Sequence, residues 1–146
     1  MRALTTYIVE DSPIIRDSLI ATLEELGPVR VVGSAEDEAG ALRWLAGPGP
    51  GADLLIVDLF LKSGSGLAVL AAARARQRPG SADPPQQLGQ VVVLSNYATP
   101  AMRARCLALG ADRVFDKSRD IEALLAFCRA LARRLDGAGD GGGSAA

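Results

Sequence analysis

The chain has 146 residues, of which 49% are hydrophobic and 23% charged, with a formal net charge of -1. That length suits one domain with a real core, and no apolar run approaches the ~20 residues of a membrane-spanning helix. Near-neutral charge argues against direct nucleic-acid binding, whose footprint is usually basic, and the complete lack of histidine excludes a Ser-His-Asp or Cys-His triad and any phosphohistidine formed on this chain.

Strand and helix patterns alternate along the sequence. LTTYIV (4–9) reads as a first strand. A helix follows in EDSPIIRDSLIATLEEL, with Ser12 as N-cap, Pro13 at its first position and Ile15, Leu19, Leu23 and Leu26 at helical spacing. Gly27-Pro28 ends it. VRVVGSA (29–35) is a second strand, DEAGALRWLA (37–46) a second helix and GPGPGA a breaker loop. LLIVDLF (54–60) is apolar except for Asp58 and predicts a strand buried on both faces. KSGSG (62–66) predicts a flexible loop, followed by a third helix in LAVLAAARARQ and a long Pro- and Gly-rich loop over 78–89. QVVVLS (90–95) is the fourth strand; Thr99-Pro100 opens a fourth helix, PAMRARCLAL, closed by Gly110. RVFD (113–116) is a short fifth strand. The last helix (120–135) places Ile121, Leu124, Leu125, Cys128, Leu131 and Leu135 on its inner face.

Five βα units in one domain imply an α/β fold, a doubly wound five-stranded parallel sheet with helices on both faces. The domain is expected to span residues 1–135, with DGAGDGGGSAA (136–146) as a disordered Gly-rich tail or linker stub. Cys106 and Cys128 lack metal-ligand spacing and fall on apolar helix positions, which predicts reduced core thiols of a cytoplasmic protein. The first residues reach acids at once and have no signal-peptide layout. Trp44 is expected to pack, and Arg103 and Arg105 to form a solvated face of the fourth helix.

In such sheets the binding crevice lies beyond the carboxyl ends of the strands. Those ends deliver Glu10 and Asp11 from the first strand, Asp58 from the third, Ser95 from the fourth and Lys117 from the fifth. Taken alone, Glu10 and Asp11 would serve equally well as helix-start acids. Converging carboxylates repel and need a cation, and oxygen donors suit Mg²⁺. A lysine can neutralise phosphate oxygens and a serine hydroxyl adds a hydrogen bond. Together these groups make a site for phosphoryl transfer to a carboxylate, with Asp58 as the nucleophile.

In order and at spacing, these residues resemble the receiver domain of two-component response regulators over residues 4–135. The acidic pair matches Glu10-Asp11 and the phosphoacceptor Asp58, with Gly66 eight residues on opening the third helix. Ser95 matches the hydroxyl ending the fourth strand, and Lys117 follows it by 22 residues. The resemblance implies a flavodoxin-like (βα)₅ receiver fold and Mg²⁺ held by Glu10 through water, by Asp11, by Asp58 and by the backbone carbonyl of Phe60. It implies a switch rather than an enzyme: a partner histidine kinase or phosphotransfer protein phosphorylates Asp58, and the signal leaves by a conformational change. The output face would be the fourth helix, fifth strand and fifth helix, docking a protein target or a second copy, with no direct contact to nucleic acid or membrane. The chain would be a stand-alone regulator or a receiver belonging to a longer protein.

Several positions depart from that pattern. The family's switch aromatic falls on Val114, and Phe115 would face the other side of its strand. Ser118 replaces a common proline after the lysine, and Lys62 another one four residues after Asp58. Phe60 and Tyr97 occupy positions that the resemblance puts beside the path of attacking water, which predicts a slowly hydrolysed phosphoaspartate. Two other readings are weaker. A haloacid-dehalogenase-like phosphatase needs a second acid two residues after its nucleophile, where Phe60 stands. A flavodoxin-like cofactor binder needs a phosphate loop after the first strand, where EDSPII offers acids.

Overall fold

A computed structural model of the protein describes residues 2–47, 51–77, 87–96 and 98–144. The elements run β1 (Leu4–Val9), α1 (Pro13–Leu26), β2 (Val29–Ala35), α2 (Glu38–Ala46), β3 (Gly51–Val57), α3 (Gly66–Gln77), β4 (Gln87–Ser95), α4 (Pro100–Ala108), β5 (Arg113–Asp116) and α5 (Ile121–Ser144). The strands form one parallel sheet in the order β2-β1-β3-β4-β5. Strand order reverses direction at β1, so the crevice for chemistry lies at the carboxyl ends of β1 and β3.

Alternation along each strand builds two cores. Tyr7 and Val9, Leu55 and Val57, and Val91 and Val93 face one way, where Ala41 and Leu45 of α2 and Val69, Leu70 and Ala73 of α3 close over them. Leu4 and Ile8, Leu54 and Ile56, and Val92 and Leu94 face the other way, onto Leu19 and Leu23 of α1 and Leu124, Leu125, Cys128, Leu131 and Ala132 of α5. A strand buried on both faces reads as a continuous apolar run, because both sets of alternate residues meet a core. Among the described residues no helix is long and apolar enough to cross a membrane.

Boundaries shift where backbone hydrogen bonding differs from the apolar pattern. The third strand occupies 51–57 rather than 54–60. Phe60 N donates to the Asp58 carboxylate at 3.2 Å and turns the chain out of the sheet, so Leu59 and Phe60 belong to the loop. β4 begins at Gln87, inside the stretch expected as loop. Ile15 and Leu26, expected on the inner face of α1, are 40% and 56% exposed; only Leu19 and Leu23 are buried. α5 continues to Ser144, past the boundary expected at 135; among the residues whose side chains are described, the last to pack against the core is Leu135. Trp44 packs as expected, stacked on Tyr7 with ring centroids 3.9 Å apart. Gly33 is needed beneath that stack, since a Cβ there would stand 2.9 Å from the Tyr7 ring.

Candidate phosphoacceptor site

The backbones of Glu10, Asp58 and Lys117 take the rung just past the end of their strands. Glu10 N donates to Ala35 O at 3.0 Å, Asp58 N to Val9 O at 2.9 Å and Lys117 N to Ser95 O at 3.0 Å. The sheet thereby holds three charged groups in register at its carboxyl edge. The Ser12 side chain caps α1 by accepting from Ile15 N, while Ser12 N donates to Glu10 Oε2 at 3.1 Å, which aims that carboxylate into the crevice.

Glu10 and Asp58 are buried, 2% and 6% exposed, and with Asp11 they bring carboxylate oxygens within 4.8 Å of one another. Lys117 Nζ bridges the cluster, paired with Glu10 and lying 3.1 Å from Asp58 Oδ2. Burial raises the Glu10 carboxyl above its usual range, against the hydrogen bond from Lys117 that lowers it. Burial alone would push the Lys117 ammonium down; the hydrogen bond to Glu10 and the charge of Asp58 outweigh it and hold the ammonium above its ordinary value. Asp58, Glu10, Asp11, Phe60, Lys117, Ile15 and Asn96 line an open cleft of about 430 Å³.

Three carboxylates against one ammonium leave this cluster short of positive charge. An all-oxygen donor set of that kind fits a hard divalent cation, so Glu10, Asp11 and Asp58 could hold a metal. Gly66 is required by close approach: a Cβ there would stand 2.2 Å from Asp58 O and 2.7 Å from the Leu59 Cα.

The geometry thus brings Glu10, Asp11, Asp58, Phe60 and Lys117 to one cleft. Ser95 is fully buried and does not line that cleft, although its carbonyl accepts from Lys117 N. Its neighbour Asn96 lines the cleft instead, a role the sequence pattern did not single out; the signal available was only its adjacency to Ser95. Ile15, expected on the inner face of α1, borders the cleft. Tyr97 lies outside the described residues, whereas Phe60 is 53% exposed.

One further expectation changes in part. Arg103 is only half-buried, but its guanidinium is not left to solvent: it donates to Ala98 O at 3.1 Å and Val114 O at 2.9 Å, and lies 3.4 Å from Asp120 Oδ2. It ties α4 to β5 through the Val114 carbonyl and to the residue before α5 through the Asp120 carboxylate, both within reach of one planar fork of donors. Arg105 is exposed as expected. Val114 does face the α3 side and Phe115 the α5 side, where its ring meets Phe127 edge-on at 5.9 Å. At the position after the lysine, Ser118 Oγ and N both donate to Asp116 Oδ1, and those two bonds lower the Asp116 pKa below its ordinary value.

Comparison with known proteins agrees with this geometry. The family model for the response regulator receiver domain matches residues 6–129. A probable transcriptional regulatory protein of Picosynechococcus sp. is 33% identical over 132 residues, covering 87% of this chain and 48% of the relative. The chain spans about half the length of the curated relatives it matches. The activated receiver domain of RstA from Klebsiella pneumoniae superposes with a TM-score of 0.70 at 22% identity, covering 88% of this chain and 98% of that one. A Burkholderia pseudomallei response regulator, whose structure holds a phosphorylated aspartic acid and a calcium ion, superposes with a TM-score of 0.67 at 23% identity, covering 90% and 70%. Parallel five-stranded topology, an acidic cluster at the switch point and a family match over most of its length assign this chain to the response regulator receiver domains, the phosphoryl-accepting signalling modules of bacterial two-component systems.

Proposed function

We propose that Asp58 is the phosphoacceptor, that Mg²⁺ is the metal held by Glu10, Asp11, Asp58 and the carbonyl of Phe60, and that the donor is a phosphohistidine on a histidine kinase or phosphotransfer protein in the bacterial cytoplasm. The observation that carries this reading is the position of Asp58. It is a buried carboxylate opening on a cleft, 3.1 Å from the Lys117 ammonium and within 4.8 Å of two further carboxylates. A carboxylate placed there without a cationic task would be a net cost to folding.

In the transfer, an Asp58 carboxylate oxygen attacks phosphorus and forms the new O–P bond. The P–N bond to the donor imidazole breaks, and its electron pair returns to the ring nitrogen. The metal, when bound, supplies positive charge for the oxygens of the transferring group. Lys117 holds Asp58 in place beforehand and offers its ammonium to the incoming phosphoryl oxygens. Asn96, which lines the cleft just past β4, and Ser95 beside it would follow the new charge. Their movement would reach α4 at Ala98 and Thr99, and Arg103 joins Ala98 to β5 and to Asp120 ahead of α5. The face made by α4, β5 and α5 is then the surface offered to a protein target or a second copy.

Intact mass after incubation with Mg²⁺ and acetyl phosphate tests this reading. Wild type should gain one Mg²⁺-dependent phosphoryl adduct and Asp58→Asn none. An adduct that persists in Asp58→Asn, or no adduct in a wild type shown to bind Mg²⁺, would overturn it.

A further inference from the structure

The loop over 62–66 is composed of residues that favour flexibility, yet it is fastened at both ends. At one end Gly66 N donates to Leu59 O at 3.2 Å, and the missing Cβ of Gly66 lets its backbone lie directly on Asp58 O. At the other, the first residue of α2 grips the loop twice. Glu38 N donates to Ser63 O at 3.2 Å, and Glu38 Oε1 accepts from Ser65 N at 2.8 Å. Between these two bonds sits Gly64 at φ +91°, where a Cβ would stand 2.3 Å from the Glu38 Cβ. Ser65 in turn caps α3, its Oγ accepting from Leu67 N at 3.1 Å.

Glu38 is half-buried, and Asp37 already caps its helix by accepting from Gly40 N. Its carboxylate is therefore not needed as the α2 cap. Both of its polar groups are instead spent on the segment that leaves Asp58 and returns to α3. That segment carries Phe60, whose N–H holds Asp58 Oδ1 and whose carbonyl is a proposed metal ligand.

We propose that Glu38 is a positioning residue for phosphoryl transfer: by clamping Ser63 and Ser65 it fixes the 58–66 loop, and with it the Asp58 carboxylate and the Phe60 carbonyl. The inference rests on the phosphoacceptor reading of Asp58. Glu38 touches neither the cleft nor the reacting atoms; it acts by denying the loop alternative conformations. Small displacements of reacting groups cost large factors in rate.

The test compares wild type, Glu38→Ala and Glu38→Gln. Glutamine keeps a carbonyl oxygen that can accept from Ser65 N; alanine does not. The initial rate of adduct formation with acetyl phosphate, read by intact mass at saturating Mg²⁺, should fall about tenfold in Glu38→Ala and return to within about twofold in Glu38→Gln. Hydrogen exchange of the 58–66 amides, which needs no phosphoryl donor, should quicken in the alanine variant and be restored by glutamine. Wild-type rate and exchange in Glu38→Ala would overturn the clamp. Equal slowing in both variants would overturn it as well, because the retained acceptor would then not matter. A wild type that takes no phosphoryl group would remove the phosphoacceptor reading and the role of the clamp with it, whereas a reactive wild type beside an unimpaired alanine variant would remove the clamp alone.

Discussion

Replacing Asp11 by asparagine separates a metal ligand from an ordinary helix-start acid. Carboxylate oxygens of Glu10, Asp11 and Asp58 lie within 4.8 Å of one another. Lys117 is paired with Glu10 and Asp58 and, among the described residues, not with Asp11. Two unit charges about 5 Å apart interact by about 3 kcal/mol at an effective dielectric near 20. Asp11 meets two negative partners and one positive one nearby, so roughly one such repulsion is left over. Partial exposure and salt screen it further, leaving about 1 kcal/mol. Asp11→Asn should therefore stabilise the metal-free protein by about 1 kcal/mol, or about 2–4 °C in Tm for a chain of this size. Mg²⁺ at a hundredfold over its Kd should stabilise wild type by about 3 kcal/mol and the variant far less, so the order of Tm inverts on adding the metal. Thermal unfolding followed by circular dichroism, in EDTA and in Mg²⁺, reads both effects. A variant that melts below wild type in EDTA, or gains as much from Mg²⁺, would refute the reasoning.

Cys128 is fully buried, and desolvation pushes its thiol up from 9.0 to about 11. Above about pH 9 the unfolded thiol loses its proton while the folded one keeps it, so this contribution is intact below pH 9 and is lost as pH rises toward 11, by up to about 3 kcal/mol. The stability difference between wild type and Cys128→Ala in urea should shrink from pH 8 to pH 10.5, and a constant difference would contradict it. The exposed Phe60 should shield the phosphoaspartate from water: Phe60→Asn with Tyr97→Glu should speed loss of the adduct by about tenfold, a barrier change of about 1.4 kcal/mol. An unchanged decay of the phosphorylated mass would remove that role.

Much of the crevice was legible because its chemistry sits at the ends of apolar runs. A charge directly after a buried strand is rare unless the strand is delivering it somewhere, and Glu10, Asp58 and Lys117 each stand at such an end. The exceptions are side chains whose partners come from distant elements. Arg103 looked solvated because helical periodicity cannot show that Ala98 O, Val114 O and Asp120 converge on its guanidinium. Ile15 fitted the inward stripe of α1, but it stands in the first turn of the helix, beside the cleft it lines, and is 40% exposed. KSGSG has the composition of a flexible loop, and its hydrogen bonds come from a helix more than twenty residues upstream.

The sequence by itself determined the alternation of strands and helices, the parallel sheet they imply and the carboxyl edge where its charged residues collect. These follow from local rules: a period of two against 3.6, caps and breakers at the ends of elements, and the cost of burying a charge. Tertiary structure alone decided that Lys117 reaches both Glu10 and Asp58, that Arg103 joins three elements and that Glu38 holds the loop behind Asp58. Those contacts join residues separated by 11 to 107 positions. Their existence depends on how far each helix is rotated and shifted over the sheet, which the packing of two whole cores sets and no single stretch of sequence encodes.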